Sequence, residues 1–171
     1  IGGFGPYIPE EYGGAGLDSV SYVLAMTEIA KVDASAAVIM SVNNSLVCAG
    51  MEKYCSEEQK MKYLVPLAKG EVIGAFCLSE PEAGSDPGGM TTVAERVSGG
   101  WVLRGQKQWI TSGAHAGVII AWARTGGPGT KGLSAFLVRG GSKGLKAGKP
   151  EDKLGLRASN TVPLTFDDCF V

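Results

Sequence analysis

Hydrophobic positions recur along this chain at two different periods, and the change falls at Gly70. From Asp18 the spacing is helical. Asp18 or Ser19 can accept hydrogen bonds from the free amides of a first turn, and Val20, Val23, Leu24, Thr27 and Ala30 then share one face. Tyr22, Met26 and Ile29 form a second apolar stripe, so this helix is expected to be covered on more than one side and to end near Val32-Asp33. A second helix is predicted from about Ala34 to Tyr54. Ala36, Val38, Ile39, Val42, Leu46, Val47 and Met51 give it the broad apolar surface of a helix packed among helices. Asn43 and Asn44 interrupt that surface: either they face a neighbouring helix or water, or one of them lines a pocket. Ser56-Glu57-Glu58-Gln59 is a capping box opening a short helix to Leu64, and Pro66 closes that helix or begins another turn.

From Glu71 the alternation is strand-like. Val72 to Leu78, Thr91 to Val97, Trp101 to Trp109, Val118 to Arg124, Leu133 to Val138 and Thr161 to Phe166 are the predicted strands. Glycine pairs at 88–89, 99–100, 126–127 and 140–141 separate most of them, and Ser98-Gly99-Gly100 predicts a hairpin. Short strands with no helix between them suggest an antiparallel sandwich or open barrel. The fold class expected is therefore an α+β segment, with an all-α part over residues 1–70 and a middle β-domain over 71–171.

Composition narrows the function. The chain has 171 residues, 44% apolar and 19% charged, enough to bury a core and stay in solution. A net charge of -1 with no basic face argues against nucleic acid as a partner. No apolar run of membrane-spanning length and no signal peptide are apparent, so membrane insertion is not expected. Cys48, Cys55, Cys77 and Cys169 form no CxxC pair and His115 is the only histidine, so no metal site is expected. Most of the cysteines sit next to apolar residues and read as reduced, buried small hydrophobes, which points to a cytosolic or organelle-matrix setting. Both ends read as cut from a larger protein.

Two stretches carry the chemistry. Phe76 to Asp86, FCLSEPEAGSD, leaves a strand-like run and breaks into small residues whose backbone can approach a ligand closely. Trp109 to Gly113, WITSG, is its echo. A planar, phosphate-bearing cofactor needs amide donors for ring carbonyls and phosphates, and an apolar wall for the ring face. Leu78, Ser79, Gly84 and Ser85 can supply the donors, Trp109 and Ile110 the wall, and Thr111 a hydroxyl at the ring edge. On these residues alone, flavin is not separated from other planar ligands, nor a binding loop from a β-turn with a Ser-Asp cap. The competing motifs are weak. GxGxxG at Gly127, Gly129 and Gly132 leads into a strand and reads as a loop, and GxSxG at Ser142 has neither a following helix nor a second histidine. His115 reads as a loop residue.

PEEYGGAGLD, GEVIGAFCLSEP running into SEPEAGSD, GQKQWITSG, KGLSAFLV and EDKLGLRASNT followed by FDDC together resemble the acyl-CoA dehydrogenase family, in the family's order over almost the whole chain. SVNNSL and EDKLGLRAS are most similar to the short-chain (butyryl-CoA) and branched short-chain members. The resemblance implies an FAD flavoenzyme with a helical N-terminal domain, incomplete here at its start. A middle β-domain and a C-terminal four-helix domain would follow, the last absent from this chain, usually in a homotetramer. It implies that Phe76, Cys77, Leu78, Ser79, Gly84 and Ser85 belong to the segment around the flavin and its pyrophosphate, and that Ser85 also touches the acyl-CoA. Trp109, Ile110 and Thr111 would lie along the flavin, with the Thr111 hydroxyl near N5. Ser79 stands where the family often has Thr, which keeps the hydroxyl, and Glu82 where Asn or Gly is common. The implied reaction is α,β-dehydrogenation of a short-chain acyl-CoA in fatty-acid or branched-chain amino-acid catabolism. A glutamate takes the α-proton while hydride passes to flavin N5. That glutamate is expected in the C-terminal domain, so no catalytic residue is assigned here; Glu80 instead reads as holding its loop by bonding backbone amides. An electron-transferring flavoprotein is the implied electron acceptor, and Asp167-Asp168 reads as a surface acidic pair or as part of its docking face. The setting would be cytoplasmic in a bacterium and the mitochondrial matrix in a eukaryote. An acyl-CoA oxidase and a non-catalytic flavin- or CoA-binding homologue fit the same pattern.

Overall fold

The Asp18 carboxylate accepts the amide of Ser21 at 2.7 Å and so starts α1 (Ser19–Val32). These are details of a computed structural model that describes residues 3–171. The chain divides into two compact units, one running up to Gly74 and including Asp152–Ser159, the other Ala75–Glu151 with Asn160–Val171.

In the first unit Asp33 ends α1 and caps α2 (Ala34–Tyr54), accepting the amides of Ser35 at 2.8 Å and Ala36 at 3.3 Å. α2 is one continuous helix whose middle, Val42–Cys48, widens into π-type turns. Such a turn inserts extra backbone and rotates the succeeding part of the helix. Asn43 and Asn44 both end up buried there. The Asn43 amide donates to the carbonyls of Phe4 at 3.0 Å and Leu67 at 3.2 Å, while its oxygen accepts the Gly74 amide at 2.8 Å. Asn43 thus faces its neighbours and lines no pocket; the Asn44 side chain has no partner among the described residues. α2 has 21 residues and is apolar enough to cross a membrane by length and composition, contrary to the sequence expectation. Its buried Val47, Cys48 and Met51 and the Asn43 bonds make it the core helix of this unit.

α1 departs from expectation. Tyr22 is buried and meets Tyr7 edge-on, but Val20, Val23 and Leu24 are 68%, 58% and 64% exposed. Helical periodicity records that a face is apolar, not that this stretch of chain covers it. The capping box at Ser56 is present in full and opens α3 (57–69), in which Lys60–Leu64 again widens. Pro66 begins the last turn, and Gly70 at φ +73 stops the helix.

The second unit is built on an open mixed sheet of β1 (Gly74–Cys77, its first residue counted with the first unit), β2 (Val93–Val97), β3 (Gly100–Thr111), β4 (Val118–Arg124), β5 (Leu133–Arg139), β6 (Leu145–Ala147) and β7 (Thr161–Phe170). Their order is β1-β4-β2-β3-β7-β6, with β5 also on β4. β2/β3, β3/β7, β4/β5 and β6/β7 are antiparallel, and β2 and β3 form the hairpin expected at Ser98-Gly99. β2 meets β4 in parallel at Val93 and Arg124, so the sheet is not purely antiparallel. Cys77, Leu103, Ile110, Ile119, Val138 and Phe166 are among its core side chains. The three-residue β6, too short for an alternation to show, was not among the predicted strands.

Candidate functional site

After β1 the chain makes a two-residue turn: the Glu80 amide donates to the Ala83 carbonyl at 2.9 Å and the Ala83 amide returns to Glu80 at 3.2 Å. Pro81 and Glu82 form the exposed tip, and Glu82 adds its charge there rather than inside. Gly84, Ser85 and Asp86 come next, all exposed, and the Asp86 carboxylate accepts the Gly88 amide at 2.9 Å. Beneath this loop the Glu80 side chain is 2% exposed and accepts the Thr91 amide at 2.6 Å, the Thr91 hydroxyl at 2.8 Å and the Thr92 amide at 3.0 Å. Its Oε1 lies 2.9 Å from Nζ of Lys107, whose side chain is fully buried. Burial works to raise the Glu80 carboxyl, but the bonds from Thr92, Thr91 and Lys107 outweigh it and hold it at about 2. Burial pulls the Lys107 ammonium below its ordinary value, and Glu80 offsets part of that. Glu80 therefore holds the loop through backbone amides, as expected from the sequence, with an ion pair added.

The second stretch is built by a bulge. Across β3/β7 the register runs Lys107 with Leu164 and then Ile110 with Val162, so three steps on β3 oppose two on β7. Lys107 and Ile110 both point inward as a result, while Trp109 turns out, 58% exposed at φ +58. A bulky residue in the left-handed region costs roughly 1–3 kcal/mol and persists only where its surroundings over-determine it. Here the preceding amide, that of Gln108, donates to the Ser79 carbonyl at 2.9 Å, tying the bulge to the first loop.

The two predicted stretches are thus brought together, but their side chains divide. Cys77 and Ile110 lie in the core, and burial pushes the Cys77 thiol up to about 12, so either can meet a ligand only through backbone. Phe76 is half-buried and packs edge-on to Trp122 at 6.3 Å. Leu78, Ser79 and Thr111 are half-buried, and Gly84 and Ser85 exposed. Among the described residues the amides of Leu78, Ser79, Gly84 and Ser85 and the hydroxyls of Ser79, Ser85 and Thr111 have no protein partner. A Cβ on Gly84 would meet nothing within 4 Å.

Sequence reasoning missed two supports. Lys107 sits in GQKQWITSG at a position whose neighbour two residues away along the strand is glycine, so no apolar alternation marked it as inward. Arg124 donates to the carbonyls of Gly88, Met90, Gly127 and Gly129, fastening the segment after Asp86 to the next loop. The signal for both was a long cation in or ending a strand, beside glycine-rich loops with carbonyls to spare. Asp168 pairs with Arg104 and Asp167 with Lys146, all exposed, which supports a surface acidic pair. His115 lies exposed in a turn, and Ser142 is half-buried between turn residues. No group of three metal-ligating side chains occurs among the described residues.

Amides and hydroxyls without protein partners, an outward indole and open space at a glycine are the groups that a flat ring carrying phosphates requires. The comparisons with known proteins bear on the family of the chain. Residues 75–169 match the family model for the acyl-CoA dehydrogenase middle domain and residues 1–71 that for its N-terminal domain. The human mitochondrial short-chain specific acyl-CoA dehydrogenase is 48% identical over 163 residues, 95% of this chain and 40% of that protein. The butyryl-CoA dehydrogenase of Megasphaera elsdenii superposes with a TM-score of 0.92 at 41% identity, over 99% of this chain and 46% of its own. A glutaryl-CoA dehydrogenase of Mycobacterium smegmatis in complex with FADH2 does so with 0.91 at 40% identity, over 99% and 43%. The chain spans less than half the length of each. With both its helical and its β residues matched, the chain belongs to the acyl-CoA dehydrogenase family.

Proposed function

We propose that this chain is the helical and flavin-binding part of an FAD-dependent acyl-CoA dehydrogenase acting on a short-chain acyl-CoA. The observation that carries the reading is the set of unpartnered donors on Leu78, Ser79, Gly84, Ser85 and Thr111, in two stretches tied by the Gln108–Ser79 bond next to the exposed Trp109. The Leu78 and Ser79 amides and the Thr111 hydroxyl would hold the ring edge, and Gly84 and Ser85 the phosphates. Trp109, fixed by its bulge, would cover one ring face and keep water from it. Ser85, exposed at the end of the loop, would also meet the acyl-CoA. When bound, FAD supplies the acceptor for the hydride that leaves the β-carbon of the thioester. What this chain contributes is fixed geometry, because orientation of the reacting atoms lowers the barrier without any group here moving a proton. The base would lie in a C-terminal domain, as the family resemblance implies. A short acyl chain is favoured by the likeness to the butyryl-CoA dehydrogenase. Work in β-oxidation, electron transfer to a flavoprotein and a homotetrameric state complete the proposal.

The test uses the full-length protein, purified and made anaerobic, with its visible spectrum followed as butyryl-CoA is added. Bleaching of the flavin band is the expected result. A yellow protein that butyryl-CoA and longer or branched acyl-CoAs all leave unbleached rejects the dehydrogenase reading. A protein that stays colourless after FAD is supplied rejects the cofactor assignment.

A further inference from the structure

Lys107 heads the fully buried side chains by volume, yet it is not part of the apolar core of the β unit. A buried ion pair is seldom more stabilising than well-packed apolar side chains of the same volume, so stability alone does not account for a lysine here. What an ammonium offers is direction. Besides Glu80, Nζ donates to the Leu78 carbonyl at 2.9 Å, and lies 3.6 Å from the Met90 sulfur. In a trans peptide the carbonyl of one residue and the amide of the next point opposite ways, and no cis bond is present. Drawing the Leu78 carbonyl onto Lys107 therefore aims the Ser79 amide away from the ammonium, toward the half-exposed side of the loop. The Ser79 carbonyl is taken in turn by the Gln108 amide at 2.9 Å, so adjacent residues of β3 fix both peptides of Ser79. Glu80 completes the frame by tying the same loop to Thr91 and Thr92.

Resting on the flavin reading above, we propose that Lys107 and Glu80 are positioning residues: together they turn the Ser79 amide outward and hold it where it donates to a ring carbonyl of the bound flavin. Neither side chain touches the cofactor. Their effect passes through the orientation of one peptide plane.

The experiment compares Lys107→Met, Glu80→Gln and the double variant in the full-length protein supplied with FAD. It measures melting temperature, FAD dissociation constant and the carbonyl stretching frequencies of the bound flavin by Raman spectroscopy. Lys107→Met leaves Glu80 charged and without its ion-pair partner, so its melting temperature falls. It is also expected to weaken FAD binding on the order of tenfold, the cost of one misdirected hydrogen bond, and to shift a carbonyl stretch upward. The double variant removes both charges and is expected to recover melting temperature while keeping the weak binding and the shifted stretch. This separates positioning from charge compensation, and it stands in if Lys107→Met does not fold. A folded double variant with unsubstituted FAD affinity and unshifted carbonyl bands overturns the inference. An unsubstituted protein that takes up no FAD overturns it together with the reading beneath it, and the two failures are told apart by that control.

Discussion

A carboxylate that accepts from backbone amides, a hydroxyl and an ammonium inside a protein keeps its charge to low pH, and Glu80 keeps it to about 2. In the unfolded chain a glutamate titrates near ~4.3. The stability Glu80 contributes is therefore complete above that value and lost as pH falls through about 2, where the native carboxylate is finally protonated. Denaturant titrations between pH 6 and pH 2 are expected to show a loss in the unsubstituted protein that Glu80→Gln lacks, the variant being less stable at neutral pH. A second residue separates fold from ligand. Because a Cβ on Gly84 meets no protein atom within 4 Å, Gly84→Val is expected to leave the melting temperature unchanged. Where phosphates approach that backbone closely, the same change weakens FAD binding by about tenfold or more, read by flavin fluorescence titration. Glu80 and Gly84 were legible in the sequence because a glutamate before proline and an Ala-Gly-Ser run are local signals. Lys107 was not, since a lysine's burial is decided by a partner 27 positions earlier.

At the scale of elements, what is local was legible and what is set by distant contacts was not. Asp18, Ser56 and Gly70 mark helix ends through bonds to their own neighbours, and the structure puts the ends there. Ser56→Ala is accordingly expected to cost about 1 kcal/mol, measured by urea denaturation. The widened turns of α2 and the two irregularities of β3 leave no comparable trace. Asn43 shows why. Its amide serves residues 4, 67 and 74, so the helix opens where far parts of the chain need a donor and an acceptor. Asn43→Leu would leave the Gly74 amide and the Phe4 carbonyl without partners, the Leu67 carbonyl keeping the Gly70 amide, and is expected to destabilise the protein by roughly 2–3 kcal/mol, seen as a lower urea midpoint. Trp109 obeys the same logic: its tryptophan and its place in WITSG were legible, but its outward turn depends on register with β7.

For the molecule as a whole, the order of motifs identified the family where no single motif did, because each short stretch also describes an ordinary turn. The division at Gly74 adds something the motifs did not contain, namely that Asp152–Ser159 belongs with the helical residues. The cysteines allow that division to be tested. Cys48 and Cys55 lie in the first unit, Cys77 and Cys169 in the second. Burial pushes Cys48 and Cys77 up to about 12 and raises Cys169, so these thiols are neither ionised nor reachable at neutral pH. Cys55 is half-buried and is expected to be the first alkylated under native conditions. The other three become reactive only as their own unit opens, so their labelling against urea, resolved by mass spectrometry, reports each unit's stability. Asn43→Leu is expected to lower the urea concentration at which Cys48 is labelled and to leave Cys77 and Cys169 where they were. Glu80→Gln is expected to do the reverse. If either substitution moves all three together, the chain opens as one cooperative block, and the two units are divisions of contact but not of stability.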